Sequence, residues 1–257
     1  MALTTLVDSH CHLDAAEFAA DRDAVLARAR AAGVIAQVVP AIRLADFAEL
    51  RELCAQHVEL HPAYGLHPMY LADHAPTHLG ALRDWLARES AVAVGECGLD
   101  HYLPGLDPAR QRELFAGQLC LAREFDLPVI VHARHAVDEV IALLRRHAPL
   151  RGVVHSFAGS AEQARQLWNM GFLIGLGGPI TYERARRLRA LAATMPLEYL
   201  LLETDAPDQP LASHRGQRNE PAHLVEVAQV VAQLRGIDVF EVAAATRSNA
   251  QRLFALA

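Results

Sequence analysis

The sequence predicts an α/β protein folded as a (β/α)8 TIM barrel with a C-terminal extra helix. Three observations carry that expectation. Eight short, β-branched apolar runs alternate with longer Ala/Leu/Arg-rich segments whose apolar residues recur at three- and four-residue spacing. The runs are apolar almost throughout, the pattern of parallel strands buried on both faces. The 257 residues match the ~250 typical of eight strand–helix units. No linker or low-complexity stretch divides them, so residues 1–257 read as one domain.

The elements follow in order. TLVDSHCH is the first strand, and Gly33 stops the helix after it. IAQVVPAI, LHPAYGLH and AVAVGECG are the second to fourth strands. The segment from Ala109 to Phe125 is the helix after the fourth, and Pro128 opens the fifth strand, PVIVHA. GVVHSF is the sixth, followed by the helical SAEQARQLWNMGF and a stop at Gly171. FLIGLGG and YLLLETD are the seventh and eighth. The region from about Glu220 to Phe254, with a stop at Gly236, holds the last helix and the extra one. An open doubly wound sheet is the structural rival. Its nucleotide-binding forms usually carry a Gly-rich turn after the first strand, and that turn is missing.

Composition narrows the chemistry. All 24 basic residues are arginine, which excludes a Schiff-base lysine, a P-loop lysine and a carboxylated lysine bridging two metals. The net charge of -6 gives no long-range basic footprint for nucleic acid, so such a substrate has to be gripped locally. Cys11, Cys54, Cys97 and Cys120 form no Cys-x-x-Cys pair and are too few for a disulfide framework. No signal peptide and no membrane-length apolar run is evident, so a cytoplasmic protein without membrane contact, monomeric by preference, is expected.

The ionisable residues cluster at strand ends. His10 and His12 end the first strand, His67 the third, Glu96 the fourth, His132 the fifth, His155 the sixth and Asp205 the eighth. Taken singly, each has an ordinary reading as a core histidine, a loop carboxylate or a turn cap. Together they occupy the rim where barrel enzymes gather catalytic groups. Six ligands are too many for one tetrahedral zinc that keeps a reactive water. They suit two divalent ions ~3.5–4 Å apart, bridged by a carboxylate. His10, His12 and Asp205 are assigned to one ion, His132 and His155 to the other, and Glu96 to both. With neutral histidines, two divalent ions and two carboxylates leave the site about +2, which favours an anionic group. Arg134, Arg215 and Arg218 are the candidate phosphate-binding residues, because the guanidinium fork suits phosphate oxygens. The remaining nine histidines read as structural or solvated.

The stretches DSHCHLD, GLHP, GECGLD, VIVHARHA, VVHSFAGS and LLETDAP followed by RNEP also carry a resemblance. The chain resembles the TatD family of metal-dependent deoxyribonucleases, within the amidohydrolase-like barrels, and its tail LLETDAPDQPL resembles the YjjV-like branch. The resemblance implies hydrolysis of DNA phosphodiester bonds, often from a 3′ end, with two divalent metals. It places the family's ligand roles on His10, His12, Glu96, His132, His155 and Asp205, and it places His67 near the substrate phosphate. Ala133 departs from the serine common at that position.

The mechanism expected is metal-assisted hydrolysis in which Asp205 accepts the proton of the attacking water. His67, if protonated, or a metal-bound water stabilises the leaving oxygen, and Arg134 orients the phosphate. The substrate expected is a DNA end or a small phosphodiester. A second enzyme class is hydrolysis of a carboxylic ester, lactone or amide, including aminoacyl-tRNA deacylation, because fold does not choose between these chemistries. A third reading is a non-catalytic protein that uses the metals for structure.

Overall fold

A computed structural model describes residues 4–256. Eight parallel strands run in sequence order: β1 (Leu6–Asp8), β2 (Val34–Ala41), β3 (Leu60–Tyr64), β4 (Ala93–Asp100), β5 (Val129–Arg134), β6 (Gly152–Val154), β7 (Phe172–Leu176) and β8 (Leu200–Leu202). Hydrogen bonds beyond the ends of β1 and β8 draw the sheet into a barrel. Ser9 N–H donates to Leu202 O at 3.0 Å, and Asp205 N–H to His10 O at 2.9 Å. Helices α1 (Arg22–Ala31), α2 (Phe47–Gln56), α3 (His78–Leu86), α4 (Pro108–Glu124), α5 (Val137–Arg146), α6 (Ala161–Trp168), α7 (Arg186–Thr194) and α8 (Leu224–Arg235) follow the successive strands, and α9 (Val239–Phe254) is the extra helix.

Local chemistry fixes several boundaries. Pro108 opens α4 and the Asp107 carboxylate caps it, accepting from Ala109 N–H at 2.9 Å. Ser160 and Gln163 form a reciprocal capping box on α6. Gly236 ends α8 in the left-handed conformation at φ 65°, which only glycine adopts without steric cost. Five of the predicted strands are shorter than the apolar runs that announced them, β3 and β7 by a few residues at their ends. β1 ends at Asp8, β3 at Tyr64, β6 at Val154 and β8 at Leu202, so His10, His12, His67, His155 and Asp205 lie just beyond strands rather than within them.

Two cores result. The outer one lies between strands and helices and takes alternate strand residues such as Val94, Val131 and Val154. The inner one fills the barrel with the other set: Val7, Ala63, Ala93, Ile130, Val153, Leu173 and Leu201. Ala250, Leu253 and Phe254 of α9 belong to this inner core, so the extra helix plugs the N-terminal end of the barrel. Chemistry is left to the opposite, C-terminal end. All four cysteines are free. Among the described residues, no helix is long and apolar enough to cross a membrane.

Candidate metal centre

The period of two along a strand explains which side chains reach the barrel mouth. Two residues beyond inward-facing Ile130 is His132, and two beyond Val153 is His155. Past the end of β1 the alternation breaks, because His10 lies three residues, not two or four, beyond inward-facing Val7. Cys11 is buried in the outer core, and His10 and His12 on either side of it face the centre. Glu96 needs an additional device. Simple alternation would send it outward with Val94, but the β4–β5 register shifts between Val94 and Cys97. Three steps on β4 match two on β5, and this one-residue bulge turns Glu96 inward while Cys97 returns to the outer core.

The six predicted ligands meet in one cluster around Glu96, which is 2% exposed. Its two oxygens face different partners. Oε2 lies 3.2 Å from His10 Nε2 and 3.4 Å from His12 Nε2. Asp205 Oδ1 completes that side, 3.4 Å from His10 Nε2 and 3.7 Å from His12 Nε2. Oε1 lies 2.7 Å from His155 Nε2 and 3.0 Å from His132 Nδ1. His67 Nε2 is also on this side, 2.8 Å from Oε1.

Outer contacts set the tautomers. His12 Nδ1 lies 3.2 Å from Pro40 O, and His132 Nε2 lies 2.9 Å from Asp100 Oδ2. Both acceptors hold the ring proton on the outer nitrogen and turn a lone pair inward. His67 is arranged the other way. Met69 N–H donates to its Nδ1 at 3.1 Å, so Nε2 carries the proton and donates to Glu96. Burial then holds His67 down at about 4 despite the neighbouring Glu96 charge. The ring is therefore neutral, so the condition attached to His67, that it be protonated, is not met; it is still an N–H donor.

The electrostatics of the ligand set are those of a cation site filled by protons. Burial pushes the His12 and His155 imidazoliums down, but Glu96 outweighs it and takes them up to about 9 and about 10. Burial likewise pushes Glu96 up, and the surrounding histidines override it and hold the carboxylate well below its usual range. Burial raises Asp205 above the ordinary carboxylate value. The donors fit divalent metal ions. His10 Nε2 and His12 Nε2 are 3.2 Å apart, about the separation of two nitrogens each ~2.0–2.1 Å from a shared ion at near-tetrahedral angles.

Several supporting residues were not singled out from sequence. Asp8 staples the two ligand loops together, accepting from Thr204 Oγ1 at 2.6 Å and from His10 N–H at 3.3 Å. Asp100 orients His132. Glu203 is buried beside His155, 3.9 Å from its Nδ1, and burial pushes it up to about 8. Gln209 Nε2 donates to Asp205 Oδ2. His74 Nε2 lies 3.0 Å from His67 O. The strand period already carried a signal for Glu203, two residues before Asp205 on the same face. Gln209 and His74 lie in loops, where no periodicity marks them.

The three candidate arginines separate. The centre opens into a cleft of about 1340 Å³, and Arg134 lines it, with its guanidinium 3.8 Å over the Tyr102 ring. Arg218 and Arg215 are not in its wall. Arg218 is held by Asp21 at 2.7 and 2.8 Å and by Glu220 at 2.9 Å, and it packs over Phe18. Its donors are spent fastening the β8–α8 loop to the start of α1, which corrects its reading as a phosphate ligand. Arg215 is exposed at the end of a 3-10 turn, Ala212–His214.

Comparison with known proteins places these features in a family. The family model described as TatD related DNase matches residues 7–255. The Escherichia coli K12 protein described as uncharacterized metal-dependent hydrolase YjjV is 44% identical over 253 residues, covering 96% of this chain and 97% of that one. An Erwinia tasmaniensis protein named 3'-5' ssDNA/RNA exonuclease TatD is 36% identical over 263 residues, covering 98% of this chain and all of that one (100%). The crystal structure of the Escherichia coli K12 YjjV, a TatD homolog, superposes with a TM-score of 0.96 at 41% identity and covers 100% of both chains.

Proposed function

The chain belongs to the TatD family of metal-dependent hydrolases, and from that premise we propose that it hydrolyses phosphodiester bonds, at the 3′ end of single-stranded DNA, using two divalent cations. The observation that carries the reading is the division of Glu96. One oxygen faces His10, His12 and Asp205, and the other faces His132 and His155. One carboxylate serving two donor sets is the arrangement of a bridged two-ion site. The exonuclease named in Erwinia tasmaniensis, 36% identical, supports the substrate class. So does the cleft, which at about 1340 Å³ exceeds the ~300–1,000 Å³ of small-molecule pockets.

Divalent ions bound there supply Lewis acidity to a phosphoryl oxygen and make water easier to deprotonate. The chain's own residues do the rest. Asp205 Oδ2 is fixed by Gln209 and its Oδ1 faces the centre, so Asp205 is the acceptor for the water's proton. His67 Nε2–H is a neutral donor for the phosphate or its leaving oxygen. Arg134, stacked on Tyr102, holds a phosphate oxygen at the rim.

The test uses 5′- and 3′-labelled single-stranded DNA and RNA beside an ester and lactone panel. Mg, Mn, Co or Zn is restored separately to metal-stripped protein. Metal-dependent release of nucleotides from the 3′ end is the expected result. Turnover of esters with none of phosphodiesters assigns the site to acyl chemistry instead.

A further inference from the structure

Charge around the cleft is unevenly divided. Besides Glu96 and Asp205, seven carboxylates line it, among them Asp14, Glu17, Asp138, Glu139 and Asp208. Of its three arginines, two are engaged. Arg43 pairs with Asp46 at 2.9 Å, and Arg22 donates to Leu13 O at 2.8 Å and Asp14 O at 3.1 Å. A polyanion longer than one phosphate meets repulsion over most of this wall.

One sector differs. Pro179 and Leu188, on either side of the turn that opens α7, belong to the cleft wall. Between Tyr182 and Ala190 the chain carries Arg184, Arg186, Arg187 and Arg189 against one acid, Glu183. Arg184, Arg186 and Arg187 are exposed, and among the described residues none has a carboxylate within 4.0 Å. The sector is tied to the metal centre. Arg184 lies 5.2 Å over the Tyr182 ring, and the Tyr182 hydroxyl donates to Pro210 O at 2.9 Å, next to the Gln209 that holds Asp205. Ala212 N–H donates to Thr181 Oγ1 at 2.8 Å, which brings the loop carrying exposed Arg215 to the same turn.

We propose that this arginine sector is the track by which a single-stranded nucleic acid leaves the metal centre. The phosphates neighbouring the reacting one lie over Arg184, Arg186, Arg187 and Arg215, while the carboxylate-lined sectors turn the strand away. The identity of the polyanion rests on the phosphodiester reading above; the charge division does not. Unpaired guanidinium groups on an otherwise acidic chain, carried by the turn and helix whose Pro179 and Leu188 line the cleft though the arginines themselves do not, match a repeating phosphate backbone.

The test is a triple variant, Arg184→Gln, Arg186→Gln and Arg187→Gln, in metal-saturated protein. Binding is read by fluorescence anisotropy on a 5′-labelled 20-nucleotide oligothymidylate whose 3′-terminal linkage is a phosphorothioate, across a salt series. Each phosphate contact contributes about 0.7 to the slope of log affinity against log salt on single strands. The variant should bind at least about tenfold more weakly at low salt and show a slope shallower by about two. The loss should grow from a dinucleotide to the 20-mer. Equal affinity and slope in variant and wild type overturn the track. A loss equal for dinucleotide and 20-mer overturns it too, since the arginines would then act through the fold. Displacement of the oligonucleotide by poly-glutamate at equal charge assigns the sector to an acidic protein and also overturns it. Arginine-dependent binding without hydrolysis of any phosphodiester overturns the phosphodiesterase reading alone. Hydrolysis of a dinucleotide without arginine-dependent binding overturns the track alone.

Discussion

Asp100 and His132 form a hydrogen-bonded pair, Oδ2 to Nε2 at 2.9 Å, and the second oxygen of Asp100 accepts from Tyr102 and Leu103 N–H at 2.9 and 3.0 Å. One carboxylate therefore fixes the tautomer of an inward-facing histidine and the loop that bears Tyr102 under Arg134.

Asp100→Asn should keep the fold and weaken the metal. An amide still accepts one hydrogen bond, but it loses the charge that favours Nε2–H on His132. Metal affinity should fall by roughly 10–100-fold, the usual scale for such partners of metal-bound histidines. Competition against a chromophoric chelator reads it. Unaltered affinity would remove Asp100 from the metal's support.

Asp205→Asn separates proton acceptor from structural cap. Asp205 adopts φ 55°, a conformation asparagine also tolerates, so folding should survive. Turnover should fall by roughly 10²–10⁴-fold with ion content only partly reduced. His132→Ala should instead lose an ion and activity together. The check is kcat at saturating metal, with ion content and folded fraction from the same sample. Retention of more than about a third of wild-type turnover moves the base role away from Asp205.

Metal loading should release protons. Without metal, His12 at about 9 and His155 at about 10 are both protonated at pH 7. Titration at pH 7 in buffers of different ionisation enthalpy should show roughly one to two protons leaving per chain, and affinity should decline as pH falls. The metal-free protein has the opposite trend in stability. Because these folded-state values are raised, their contribution is complete below the ordinary histidine value of 6.5 and is lost as pH rises through about 9 to 10. Melting temperatures of stripped protein rising over that alkaline window would contradict the Glu96 pairing.

Gly175→Ala should be costly despite its small size. A Cβ there would stand 2.2 Å from Glu203 Oε2 and 3.1 Å from the His155 Cα. Glu203 has to move and His155 shifts with it. A loss of about 1–3 kcal/mol, typical of overpacking, is expected in denaturant unfolding of the stripped protein, together with weaker metal binding.

The barrel was legible because each apolar run has the length and composition of a buried parallel strand, and eight of them recur between helical segments. The cluster was legible because histidines and acids followed those runs. The inward turn of Glu96 was not, since it depends on a bulge that only the register with β5 reveals. The failure of Arg218 has a similar cause. Its partner Asp21 lies 197 residues away in sequence, and nothing in the local RNEP stretch announces an ion pair over that distance. Net charge misled in another way: -6 for the whole chain conceals the concentration of unpaired arginines before and within α7.

The plug made by α9 has a consequence for synthesis. The inner core needs Val7 from the first strand and Phe254 from the last helix, so the growing chain cannot seal its interior until Phe254 has left the ribosome. At about 5–20 residues per second, roughly 10–40 s pass between the appearance of His10 and that of Asp205. Until Glu96 follows, 86 residues after His10, the His10 and His12 pair has emerged with neither carboxylate of the centre, and until Asp205 follows it has Glu96 alone. The order of translation therefore exposes the nitrogen-rich half of the centre before its carboxylates can tune which ion it keeps.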